Sequence, residues 1–111
     1  MKKRSYVGMD CGDRNHEICA LDEAGRVMSR VQVANTAEAI KTWAGALPAG
    51  SVIALEVGTH SGWISRLLEA MSLRVVVAQP RCLRALWGRD RKNDESDAEL
   101  LARMVRADAS L

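Results

Sequence analysis

Apolar and polar positions change period along this chain, and the changes mark its elements. Ser5 to Asp10 is a short apolar run that ends on an acid, and a second run, His16 to Leu21, follows a polar turn. Asp22 to Gly25 reads as a hairpin turn, with Gly25 supplying the permissive backbone. Val27, Val31 and Val33 mark a third strand, in which Ser29 and Arg30 interrupt a clean alternation. Three strands joined by short turns predict an antiparallel meander.

The period then lengthens. Asn35 can cap a helix, with Glu38 three residues on as its capping-box partner. Ile40, Trp43, Ala44 and Leu47 form one apolar face, and Pro48 and Gly50 end the helix. Val52 to Val57 is a fourth strand, apolar throughout except for Glu56, which predicts burial on both faces. The loop Gly58 to Gly62 leads into a second helix with Ile64, Leu67, Leu68 and Met71 on its inner face. Arg74 to Ala78 is a fifth strand, broken by Gln79-Pro80, with a short helical turn around Leu83 to Trp87. Gly88 to Asn93 is polar and basic. A last helix starts near Asp94 and turns Ala98, Leu101, Met104 and Val105 inward. The predicted class is α/β: a five-stranded mixed sheet in the order βββαβαβα, with helices on its faces.

Composition narrows the setting. A chain of 111 residues, 48% apolar and 27% charged, is one folded domain. No apolar run approaches the ~20 residues of a membrane helix, and no signal-peptide core follows the basic N-terminus. A cytoplasmic protein with no membrane partner is expected. Cys11, Cys19 and Cys82 are odd in number and lack Cys-x-x-Cys spacing, so free thiols are expected rather than disulfides or a zinc site.

Four acids carry the candidate chemistry. Asp10 ends the first strand, Glu56 interrupts the fourth, and Asp94 and Asp97 lie three apart at the start of a helix, on one face. If strands one and four are neighbours, all four converge at one end of the sheet. Crowded carboxylates repel unless a cation neutralises them, and Mg²⁺ or Mn²⁺ suits an all-oxygen ligand set. Each acid also has an ordinary reading. Asp10 can be a turn former, Glu56 an edge residue or an arginine partner, Asp94 an N-cap, and Asp97 a complement to the helix dipole.

These residues resemble a known family, the DEDD insertion-sequence transposases. Tyr6-Val7-Gly8-Met9-Asp10 looks like their opening strand, and Glu56-Val57-Gly58-Thr59-His60-Ser61-Gly62-Trp63 is similar to their second acidic motif. Val77-Ala78-Gln79-Pro80-Arg81 resembles their strand-to-proline segment. Arg91-Lys92-Asn93-Asp94-Glu95-Ser96-Asp97-Ala98 resembles the third and most specific motif. The resemblance covers about Tyr6 to Val105 and implies a ribonuclease-H-like (RuvC-like) fold. It also implies a catalytic, metal-binding tetrad of Asp10, Glu56, Asp94 and Asp97. It further implies a DNA recombinase that works on donor and target DNA as a homo-oligomer, guided by a structured RNA. A second domain would supply a serine nucleophile, so residues 1–111 are expected to be the RuvC-like domain alone.

The remaining features fit that picture without requiring it. Arg81, Arg84, Arg89, Arg91 and Lys92 surround Trp87, a combination suited to nucleic-acid backbone contact and base stacking, or to a solvated surface. The net charge of +2 is too small to argue for nucleic acid by itself. His60 can be a general acid, a nucleic-acid contact or an organiser of its turn. Ser61 lacks an orienting base and is no nucleophile candidate. Trp43 and Trp63 are expected in or near the core. Two rival functions stand beside the transposase. One is a ribonuclease-H-like module that only binds nucleic acid or oligomerises. The other is a fragment of an actin-like or sugar-kinase ATPase, suggested by Gly8-Met9-Asp10-Cys11-Gly12.

Overall fold

A computed structural model describes residues 4–79 and 97–107. Its elements are β1 (Tyr6–Asp10), β2 (Asn15–Leu21), β3 (Val27–Ala34), α1 (Ala37–Ala44), β4 (Val52–Glu56), α2 (Ser61–Ala70), β5 (Arg74–Ala78) and α3 (Asp97–Ala107). The expected α/β class and element order hold. The expected turn at Leu83 to Trp87 lies outside the described residues. The sheet runs β3-β2-β1-β4-β5. β1, β2 and β3 pair antiparallel, whereas β1–β4 and β4–β5 are parallel. This is the mixed five-stranded sheet, flanked by helices, of the ribonuclease-H-like fold.

Alternation divides the core in two. Val7 and Met9 of β1, with Ile53 and Leu55 of β4, point to the face covered by α1 and α2, where Ile40, Ala44, Ile64 and Leu68 meet them. Tyr6 of β1, with Val52 and Ala54 of β4, points to the opposite face, where Ala98, Leu101, Ala102 and Val105 of α3 cover them. Helices on both sides explain why β4 is apolar at successive positions. β3 is an edge strand and buries only Val33. Trp43 and Trp63 are half-buried against the first core, as expected.

The start of α1 differs from the sequence expectation. Thr36, not Asn35, is the N-cap, and its side chain accepts from the Ala39 amide. Asn35 is drawn elsewhere: its Oδ1 lies 2.9 Å from His16 Nε2, and its Nδ2 donates to the Asp13 carbonyl. The helix also stops at Ala44, so Leu47 packs on the core from the following turn.

Arginines fasten α3 to the meander. Glu99, nearly buried on α3, accepts hydrogen bonds from Arg30 of β3 and, at 2.7 Å, from Arg103 one turn along. Arg103 also donates to the Gly25 carbonyl and Arg106 to that of Glu23, both at 3.2 Å, so the β2–β3 turn is gripped as well. Burial pushes the Glu99 carboxyl up, but the hydrogen bonds and charges of both arginines outweigh it and hold the group below its ordinary value.

Candidate metal centre

Strand register brings the first two acids together. Met9 and Leu55 are partners across the parallel β1–β4 pair, and Asp10 and Glu56 each follow by one residue. Both side chains therefore point to the same face, the one that α3 covers. The carboxyl ends of adjacent parallel strands are where open α/β sheets build their sites.

Close packing of α3 brings the third acid. Gly8 faces this helix without a side chain, and a Cβ placed there would stand 1.9 Å from the Ala98 carbonyl oxygen. The helix thus lies against the bare backbone of β1, and its first residue, Asp97, arrives beside Asp10. One carboxylate oxygen from each of Asp10, Glu56 and Asp97 falls within 4.8 Å of the others, and all three residues are half-buried. Asp94 lies outside the described residues, as do Arg81, Arg84, Arg89, Arg91 and Lys92.

The negative field of the cluster is felt by its neighbour. Burial, then the charges of Asp10 and Glu56, push the Cys11 thiol up to about 11. An oxygen-only set at this spacing, half-buried and mutually repelling, matches the donor chemistry of a hard divalent cation.

A cleft of about 140 Å³ opens beside the cluster, lined by Asp10, Cys11, Asp13, Glu56 and the Val57–Ser61 loop. Ser61 is committed to that loop: its hydroxyl accepts from the Gly58 amide at 3.1 Å and donates to the Gly58 carbonyl at 3.0 Å. On the β2 side, Asp10 borders a second cleft with Glu17, Cys19 and Arg30.

Two histidines organise the surroundings. His16, which sequence reasoning passed over as the start of a strand, is fully buried. Its Nδ1 accepts from the Gly12 amide at 3.2 Å, so its ring proton sits on Nε2 and is donated to Asn35. This pins the loop that follows Asp10. The signal in the sequence was a polar residue opening an apolar strand, but its partner lies 19 positions away. His60 packs edge-on against both His16 and Trp63.

No curated protein matches the chain. The family profile of transposases of the IS110 DEDD type matches residues 7–111, spanning all three acidic motifs. The chain belongs to the IS110-type DEDD transposases, as a DNA transposase module.

Proposed function

We propose that this domain is the metal-dependent catalytic unit of an RNA-guided DNA recombinase. The observation that carries the reading is the convergence of Asp10, Glu56 and Asp97 within 4.8 Å at the ends of β1 and β4. These three, with Asp94 as the fourth acid of the family motif, would hold Mg²⁺ or Mn²⁺. A divalent ion there supplies Lewis-acid polarisation of a phosphodiester oxygen and activates the attacking group. The chain's own part is to fix the carboxylates on two adjacent strands and one helix, so that they are arranged before substrate arrives.

Family membership supports DNA as the substrate. It also supports the finer parts of the proposal: residues 1–111 as the RuvC-like domain, a structured guide RNA, assembly as a homo-oligomer, and a nucleophilic serine on a second domain. Arg81, Arg84, Arg89, Arg91 and Lys92 would grip the nucleic-acid backbone next to the acids. Membership sets aside the ATPase reading. No helix among the described residues is long and apolar enough to cross a membrane.

Nicking of supercoiled plasmid by this chain in Mn²⁺ tests the proposal. With water as the nucleophile, slow nicking is expected, abolished by chelation and by Asp10→Asn. Nicking that Asp10→Asn leaves unchanged would contradict the assignment, and metal-independent RNA or DNA binding without nicking would favour a scaffold.

A further inference from the structure

We infer that His60 is a phosphate-contacting residue, offering its Nε2–H to a backbone phosphate oxygen of nucleic acid held at the acidic cluster. This rests on the catalytic reading above and assigns a donor to it. His60 occupies the N-cap position of α2, yet its side chain makes no capping hydrogen bond. His60 lines the same cleft as Asp10 and Glu56.

The orientation of its donor is fixed. Trp63 Nε1 lies 3.1 Å from His60 Nδ1, and an indole nitrogen can only donate. Nδ1 is therefore an acceptor, and the ring proton sits on Nε2. Trp63 and His16 hold the ring in place edge-on, with centroids 6.2 and 6.3 Å away. Nε2 lies 3.1 Å from Asp13 Oδ1.

That partner is the informative one. The Asp13 side chain is 94% exposed whereas that of His60 is 20% exposed, so a fixed donor meets a carboxylate standing almost wholly in solvent. Such an exposed contact is weak and easily exchanged. An anionic oxygen already occupies the place where a phosphate oxygen would bind, and Asp13 can swing away to admit it. The cleft is otherwise rich in acids, so a donor here offsets the repulsion a phosphodiester meets on approach.

The test compares wild type, His60→Ala, His60→Gln, Asp13→Ala and the Asp13→Ala/His60→Ala double variant. Each is measured for Mn²⁺ binding by calorimetry and for binding of a short fluorescent DNA duplex in Mn²⁺. His60→Ala should weaken DNA binding roughly ten-fold, as expected for a lost hydrogen bond to a charged group. It should leave Mn²⁺ binding within about two-fold, and His60→Gln, which keeps an N–H donor, should recover most of the loss. Asp13→Ala should tighten DNA binding, and by less when His60 is already alanine. DNA binding by His60→Ala equal to wild type would overturn the inference and leave the proposed function standing. Joint loss of Mn²⁺ and DNA binding, no recovery in His60→Gln, or an Asp13→Ala gain that ignores His60 would also overturn it. Wild type that binds Mn²⁺ but no DNA would remove the proposed function and this inference together.

Discussion

Gly8 lies directly against Ala98, and the space between them is smaller than a methyl group. The backbone amide of Ala102 and the Cβ of Leu101 would also stand within 3 Å of a Cβ at this position. In a strand interior, replacing glycine by alanine is ordinarily favourable by roughly 0.5–1 kcal/mol. Here packing reverses the sign, because the obstructing atoms are helix backbone or a Cβ fixed to it and cannot turn aside. Gly8→Ala is expected to destabilise the domain by about 1–3 kcal/mol. It should also weaken Mn²⁺ binding, since α3 carries Asp97 away from Asp10 as it moves. Thermal melts with and without Mn²⁺ check both effects. An unchanged melting temperature would mean that α3 does not sit this close to β1.

His16 gives stability a pH dependence of known sign. Its burial lowers its proton affinity, with the Asn35 hydrogen bond opposing and the His60 ring reinforcing that shift. Unfolding releases the ring to water, where its ordinary value is about 6.5. The unfolded chain thus binds more protons than the folded one below that value. The stability is fully present above about pH 6.5 and is lost as pH falls towards the lower folded value. Lowering the pH from about 7.5 to about 5.5 therefore removes stability through this group. Melting temperatures of wild type and His16→Gln over this range provide the check. Wild type should fall more steeply, and parallel slopes would show that His16 already titrates in the folded state.

Much of this domain was legible because its signals are local. The i, i+3, i+4 spacing of Ile40, Trp43 and Ala44 marked α1, and successive apolar residues at Val52 to Leu55 marked a strand covered on both faces. Glu56 stood out for the same reason, as a charge where the pattern demanded an apolar side chain. What was not legible depends on contacts between distant positions. Asn35 and Thr36 are adjacent residues that can both cap a helix, and the hydrogen bonds of Asn35 to His16 and to the Asp13 carbonyl leave the cap to Thr36. Nothing adjacent to Glu99 in the sequence announces Arg30, on an edge strand, as its partner. Gly8 stands in two motif resemblances, and neither of them announces a helix packed against it. Its role depends on α3, which arrives ninety residues later in the chain.

The acidic cluster is the centre of this account, and Mn²⁺ calorimetry on wild type and Asp97→Asn tests it most directly. Asp97→Asn keeps the size of the side chain and removes one carboxylate from the cluster, so the metal-free variant should remain folded. Wild type should bind Mn²⁺ weakly in the absence of nucleic acid, and the variant should bind at least roughly ten-fold more weakly. A retained fold with lost binding is the predicted result. Equal Mn²⁺ binding by the two proteins, with both folded, would contradict a metal centre built on Asp97.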